Sequence, residues 1–268
     1  MRPNSDGDDD RAVPLKRIAM WSGPRNISTA MMRSWGSRAD TAVVDEPLYA
    51  AYLAATGLDH PGRDDIIAAC DTDAGSVVQR LTTGGAASSA RVMYQKHMAH
   101  HLPEGCELGW TDALVNMFLV REPAAMVRSL TRVLPNADLE ATGLPQQVRL
   151  FEYASGVLGC PAPVFDAADV LRDPPGSLGL MCNAAGIDFD DAMLRWDTGP
   201  RDTDGVWAEH WYGAVCASTG FEPYVPPAEA GVPRRYLGLL RACEPLYAKL
   251  AEHAVRSRSG DASQPCRA

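Results

Sequence analysis

The segment Gly23 to Thr29 contains residue types that could bind an anion. Its Gly-Pro dipeptide predicts a tight turn between a β-rich apolar run and an amphipathic helix that begins with Ser28 and Thr29. The first N–H groups of a helix lack partners, and the positive end of the helix dipole lies behind them. Arg25 adds a planar bidentate donor that suits phosphate or sulfate. The alternative is an ordinary strand, turn and helix in which Ser28 is the cap and Arg25 is solvated.

Charged residues also follow two further predicted strands. Asp45 and Glu46 come directly after the β-rich run Thr41 to Val44, and Arg121 comes directly after the apolar run Leu114 to Val120. Open α/β sheets bind their ligands at the carboxyl ends of their strands. We therefore expect these side chains at one edge of a sheet, with Asp45 as a loop carboxylate that holds its turn.

A third predicted strand ends beside several histidines. The run Arg91 to Lys96 leads directly into His97, and His100 and His101 lie just beyond it. We expect His100 and His101 to be solvated.

The overall charge argues against a general nucleic-acid binder. The 268 residues include 25 Lys and Arg against 34 Asp and Glu, which gives a formal net charge of -9, whereas nucleic-acid binding needs a basic face. The longest strongly apolar run, Ala113 to Val120, is far shorter than the roughly 18 residues of a membrane span, and the acidic N-terminus does not resemble a signal peptide. We therefore predict a cytoplasmic protein without nucleic-acid or membrane partners, and leave a homodimer open. The scattered cysteines form no CxxC pair, so no metal site is expected.

Strands and helices alternate along the chain, which predicts an α/β fold. Its three layers would be a mainly parallel central sheet and helices on both faces. The length suffices for one large domain. Residues 1–14 are polar and acidic, and we expect a flexible tail there and another at residues 257–268.

Together these residues resemble the sulfotransferase family, whose members use 3′-phosphoadenosine 5′-phosphosulfate (PAPS) on a P-loop type α/β fold. Arg121 with Ser129, eight residues later on the next helix, resembles the family's 3′-phosphate motif, and Phe165 to Ile187 is a weaker match to its later part. The resemblance implies one sulfotransferase-like domain at residues 15–256. The residues that resemble the family's 5′-phosphosulfate loop are Gly23, Pro24, Arg25, Asn26, Ile27, Ser28 and Thr29.

The resemblance implies in-line, metal-independent transfer of a sulfuryl group from PAPS to a hydroxyl or amine of a small-molecule acceptor, with PAP as the product. Arg25 and the loop would hold the sulfuryl group and the leaving phosphate, and Arg121 with Ser129 would bind the 3′-phosphate. The Arg-Lys-Gly motif found near the C-terminus of cytosolic members is absent, and we consider Arg201 as a substitute.

Two residues compete for the role of the base that takes the acceptor's proton. Glu46 and His97 both follow predicted strands, in regions where family members place catalytic glutamates or histidines, and Lys96 could neutralise the bridging oxygen. The structural alternative for Glu46 is a cap on the helix near Leu48. For His97 it is a surface or core-edge histidine bonded to the backbone. We slightly favour Glu46.

Two other functions stay open at this point. A kinase or nucleotide phosphotransferase could share the scaffold, although the loop lacks the Gly-Lys pair of ATP-binding loops. A non-catalytic nucleotide-binding protein could keep the fold without its chemistry. The aromatic residues Trp207, Trp211 and Tyr212 could line an acceptor pocket, but we favour a core position for Trp211.

Overall fold

A five-stranded sheet forms the centre of the protein. The computed structural model describes residues 14–86, 89–226 and 231–257, so the two predicted tails lie almost wholly outside the described residues. The strand order is β2-β3-β1-β4-β5, and all four pairings are parallel. This confirms the α/β prediction. The strands are β1 (Lys16–Ser22), β2 (Thr41–Asp45), β3 (Val92–Met98), β4 (Val115–Val120) and β5 (Val164–Asp166).

Eleven α-helices occur among the described residues, and several begin at caps that the sequence encodes. The Glu122 carboxylate accepts hydrogen bonds from the N–H groups of Ala124 and Ala125, and Pro123 occupies the first position of its helix. The helices are α1 (Ser28–Gly36), α2 (Tyr49–Thr56), α3 (Arg63–Ala69), α4 (Ala74–Thr83), α5 (Pro123–Val133), α6 (Leu144–Leu158), α7 (Ala167–Arg172), α8 (Pro174–Ala185), α9 (Ala208–Trp211), α10 (Gly213–Cys216) and α11 (Leu237–Ala251).

Both faces of the sheet are buried, which gives the three layers. In β1, Ile18 and Met20 pack into one hydrophobic cluster while Ala19 and Trp21 pack into the other, because successive side chains of a strand point to opposite faces. Near-continuous apolar runs such as β4 are typical of strands covered on both sides.

Parallel pairing brings the carboxyl ends of the strands to one edge. Ser22 is in register with Met98 and with Leu119, and Asp45 is in register with Lys96. The loop after β1, Glu46 after β2 and Arg121 after β4 therefore start from neighbouring points. Across the described ranges, no helix is both long and apolar enough to cross a membrane.

Candidate functional site

The carboxyl ends of the strands open into a cavity of about 710 Å³. The loop between β1 and α1 forms one wall, and residues after β2, β3 and β4 form others. The cavity brings most of the sequence-predicted site residues together. Those that line it are Pro24, Arg25, Asn26, Ile27, Ser28, Thr29, Glu46, Lys96 and Arg121.

The loop exposes unpaired backbone donors to this cavity. Arg25 and Ile27 have φ angles of 64° and 57°, which non-glycine residues rarely adopt. Such left-handed turns before a helix form concave nests of N–H groups that bind anions. Among the described residues, none accepts a hydrogen bond from the backbone N–H groups of residues 25–30.

Contacts behind the loop hold it in this shape. A Cβ on Gly23 would lie 2.2 Å from the Thr142 carbonyl oxygen, so only glycine fits there. The Asn26 amide donates to the Leu119 carbonyl at 3.2 Å, so Asn26 supports the loop from behind as well as lining the cavity. Gln147 on α6 donates to the carbonyls of Trp21 and Leu119. Sequence reasoning missed Gln147, whose only signal is its place in a predicted helix.

Arg25 and Arg121 form a pair of cations beside the loop. Arg25 Nε donates to Ser129 Oγ at 3.0 Å, and Arg121 Nη1 donates to the Arg25 carbonyl at 2.6 Å. Burial lowers the pKa of both side chains, and the charge of Arg25 lowers that of Arg121 further. Within the described ranges neither guanidinium has a carboxylate at salt-bridge distance. An anion in the cavity would compensate both charges.

A buried ionic cluster also borders the cavity. Lys96, only 1% exposed, donates from Nζ to Asp45 Oδ1 at 2.9 Å, to Glu46 Oε1, and to the Tyr212 hydroxyl oxygen at 2.6 Å. The Tyr212 hydroxyl donates to Asp45 Oδ2, which also accepts from the Gly205 N–H. Asp45 therefore holds the segment around α9 rather than only its own turn. Sequence reasoning noted Tyr212 only as a pocket or core aromatic.

The surroundings of Glu46 suit a proton acceptor. Its φ of 38° turns the chain sharply after β2, and its N–H donates to the Lys96 carbonyl at 2.9 Å. The side chain does not cap α2, whose N-cap Leu48 receives no side-chain bond. Burial raises the pKa of Glu46, the Asp45 charge raises it further, and Lys96 opposes both. A raised pKa brings a carboxylate closer to the value that general-base catalysis at neutral pH favours.

His97 lies on the wrong face of the sheet for the role of base. Strand β3 extends through Met98, so His97 is inside the strand and points away from Lys96. Its ring stacks on Trp21 at 4.3 Å, its Nε2 lies 3.1 Å from Gln95 Oε1, and it does not line the cavity. Burial lowers the pKa of His97 to about 3. His97 is therefore a buried residue in contact with the Gln95 side chain, which differs from the expected surface or core-edge histidine bonded to the backbone.

His100 and His101 are buried, so the expectation of solvated side chains is wrong. A short 3₁₀ turn after β3 folds both rings towards α2, where His101 stacks on Tyr49 at 4.4 Å. Both line the cavity. His101 Nε2 lies 3.9 Å from Glu46 Oε2.

Two other expectations need correction. Arg201 is exposed and lies in a separate groove, where its Nη2 donates to the Asp197 carbonyl, so it does not join the arginine pair. Trp211 is half-buried and lines the cavity rather than belonging wholly to the core. Among the described residues, no group of three or more metal-ligating side chains could hold a metal ion.

Comparison with known proteins identifies the family. The family model described as "Sulfotransferase domain" matches residues 16–254. Two curated proteins of Arabidopsis thaliana, branched-chain-amino-acid aminotransferase-like proteins 1 and 2, are 36% and 33% identical over 90% and 91% of this chain. The chain spans only 43% of the length of each, so their names describe much longer proteins.

Comparison with solved structures gives two sulfotransferase domains, both with TM-scores below 0.5. The domain from the Synechococcus PCC 7002 olefin synthase has a TM-score of 0.46 at 18% identity, covering 87% of this chain and 96% of that one. The domain from the curacin biosynthetic pathway has a TM-score of 0.44 at 14% identity, covering 94% of both chains. By the family model, which spans nearly all of the described residues, the chain belongs to the sulfotransferase domain family.

Proposed function

We propose that this protein transfers a sulfuryl group from PAPS to a hydroxyl or amine of a small-molecule acceptor. Family membership supports sulfuryl transfer in general. The observation that carries the finer proposal is the pair Arg25 and Arg121, in which the Arg121 guanidinium donates to the Arg25 carbonyl. Neither guanidinium has a carboxylate partner in the described residues, and both side chains line one cavity together with a loop of unpaired N–H groups.

The residues present fit a donor with anionic groups at both ends. The loop N–H groups, Arg25 and the hydroxyls of Ser28 and Thr29 would hold the sulfuryl group and the 5′-phosphate. Arg121 and Ser129 would hold the 3′-phosphate. Arg25 contacts both of these residues, Ser129 through its Nε and Arg121 through its carbonyl oxygen. ATP has no 3′-phosphate, and this loop lacks the lysine of ATP-binding loops.

The transfer step would use Glu46 as the base. When the acceptor oxygen attacks sulfur, Glu46 takes the hydroxyl proton and the bond from sulfur to the bridging oxygen breaks. Arg25 and the loop N–H groups stabilise the charge that builds on the departing phosphate. Lys96 keeps Asp45 and Glu46 together, and we propose that this contact sets the basicity of Glu46.

Ligand binding tests the proposal directly. In a thermal-shift titration, PAP should stabilise the protein more strongly than ADP or ATP at equal concentration. Arg121→Ala should weaken PAP binding about 10- to 100-fold, because bonds to charged groups are worth about 1.5–3 kcal/mol, and should weaken ADP binding much less. Arg132→Ala, which removes an exposed arginine from α5, the helix that follows Arg121, is the matched control.

The outcomes separate the competing functions. Equal losses of PAP and ADP affinity in Arg121→Ala would remove the 3′-phosphate assignment. A preference for ATP together with magnesium-dependent turnover would favour a phosphotransferase. PAP binding without PAP release from PAPS across a broad panel of hydroxyl and amine acceptors would favour a non-catalytic binding protein.

A further inference from the structure

The cavity has two chemically different ends. One end is the donor side, with Arg25, Arg121 and the loop after β1. The other part of the lining, which we call the outer end, comes from α2, the turn that follows it, the 3₁₀ turn after β3 and the loop before α6. The outer end consists of Tyr52, Asp59, His60, His101, Asp138 and Glu140.

The outer end is rich in carboxylates. Asp59, Asp138 and Glu140 are exposed at its rim. Burial is the main cause that raises the pKa of Tyr52, and the charges of Asp138 and Glu140 raise it further. Both carboxylates therefore lie close to the Tyr52 side chain. All lysines and arginines among the described lining residues belong to the donor side or to the cluster beneath it: Arg25, Lys96 and Arg121.

The histidines of the outer end do not offset this negative charge. Burial lowers the pKa of His60 and places that of His101 well below 6.5, so both rings are neutral at physiological pH. His60 Nδ1 lies 2.9 Å from the Tyr49 hydroxyl, which uses one ring nitrogen in a neutral hydrogen bond.

Two nearly buried polar groups at the outer end lack partners. Tyr52 and His101 are 9% and 5% exposed and both line the cavity. Across the described ranges, neither the Tyr52 hydroxyl nor a ring nitrogen of His101 makes a hydrogen bond, since the contact from His101 to Glu46 is 3.9 Å long. Neither polar group is sealed from solvent, so both are open to a ligand that enters the cavity.

We infer that the acceptor bears a positive charge, as a protonated amine or quaternary ammonium, in addition to the hydroxyl that is sulfated. This rests on the proposed function. The rim carboxylates and the aromatic rings of Tyr52 and Trp211 attract a cation and the carboxylates repel an anion. Glu46 lines the same cavity, and its Oε2 lies 3.9 Å from Nε2 of His101 in the outer end, so it would face the hydroxyl of an acceptor whose cation occupies that end.

Probes that share a hydroxyl-bearing scaffold and carry different charges test this inference on the PAP complex. Tyramine, para-ethylphenol and phloretate share a phenol and carry a cation, no charge and an anion; choline and its uncharged carbon isostere dimethylbutanol form a second set. Isothermal titration at neutral pH should give each cation about tenfold tighter binding than its neutral partner, the sum of a cation–π contact and rim ion pairs, with phloretate weakest.

Substitution of the rim supplies the matched control. The double variant Asp138→Asn with Glu140→Gln keeps the acceptor oxygens that bind the Ala141 N–H and the Gln146 amide, and removes both charges. It should reduce the cation's advantage about fivefold and leave binding of the neutral probe and of PAP unchanged. Glu244→Gln removes an exposed carboxylate on α11, outside the cavity, and should change nothing.

The inference fails if neither cation binds the PAP complex more tightly than its neutral partner, including the case in which neither cation binds. It also fails if the double variant keeps the full advantage. Failure of PAP itself to bind the wild-type protein would instead overturn the proposed function, so the two failures are distinguishable.

Discussion

Glu46 and Asp45 are adjacent carboxylates that share one lysine but make different contacts. Asp45 accepts bonds from Lys96, Tyr212 and the Gly205 N–H, which commits both of its oxygens. Glu46 binds Lys96 through Oε1, whereas its Oε2 makes no hydrogen bond within the described part of the chain and lies 3.9 Å from Nε2 of His101. Environments that treat two neighbouring acids differently often divide their roles. Under the proposed function, Asp45 would position the site and Glu46 would accept the proton.

Glu46→Gln should therefore lower kcat about 100- to 10,000-fold, the usual contribution of a general base, and leave PAP affinity nearly unchanged. In the wild-type protein, kcat/KM should rise with pH through the raised pKa of Glu46, because the base must be unprotonated. Initial rates of PAP formation across pH measure both effects. His97→Phe, which keeps a ring against Trp21, should retain activity; loss in this variant alone would reverse the assignment.

At the scale of elements, the loop after β1 depends on close packing against the turn before α6. Gly23 approaches the Thr142 carbonyl, and Gln147 ties the ends of β1 and β4 together. The anion site is therefore shaped by a helix about 120 residues away in sequence.

Gly23→Ala should destabilise the protein by about 1–3 kcal/mol and weaken PAP binding, because the added Cβ displaces the loop or the turn. Gly156→Ala in α6, where a Cβ meets no atom within 4 Å, should instead stabilise it by about 1 kcal/mol. Urea unfolding and PAP titration of both variants measure this. Unchanged PAP affinity in Gly23→Ala would show that the loop tolerates the shift.

The segment around α9 is fastened to α1 by a buried ion pair. Arg33 donates to both carboxylate oxygens of Asp204, at 2.5 and 2.7 Å, and the two side chains are 2% and 4% exposed. Arg33→Met should cost about 3–5 kcal/mol, because it leaves a buried carboxylate uncompensated. Glu152→Gln, which breaks the half-exposed pair with Lys249, should cost less than about 0.5 kcal/mol. Similar losses by chemical denaturation would contradict this account.

At the scale of the whole molecule, three neutral histidines make the fold sensitive to acid. Burial lowers the pKa of His97 and His100 to about 3 and that of His101 further below its ordinary 6.5. The unfolded chain binds protons below pH 6.5 that the native protein does not bind. Stability is therefore complete above that pH and falls as pH decreases towards 3.

His97→Phe should flatten this dependence. Each buried histidine contributes a slope of about 1.4 kcal/mol per pH unit between pH 6 and 4, and the phenylalanine variant loses one such contribution. Free energies of unfolding from urea titrations at several pH values measure the slope. Parallel curves for the variant and the wild type would mean that His97 is already protonated in the native protein.

The sequence predicted the order of strands and helices, the loop between β1 and α1, and the positions of Arg25, Arg121 and Ser129. Each of these features depends on residues close together in the chain. Alternating apolar patterns and the Gly-Pro turn predict β1 and α1, and parallel pairing then places Arg121 beside the loop.

Only the tertiary structure decided which side chains reach the cavity. Strand β3 continues two residues beyond its predicted end, to Met98, because the end of a strand is poorly marked in sequence. Since side chains alternate along a strand, His97 points to the face opposite Lys96, and the turn that follows brings His101 to the cavity. Tyr212 meets Asp45 and Gln147 meets Leu119 through contacts between distant segments, which no local pattern encodes. The sequence by itself indicated the family and two arginines beside the ends of β1 and β4, while packing determined that Glu46 rather than His97 lines the cavity, how the α9 segment is anchored and which carboxylates gather at the outer end.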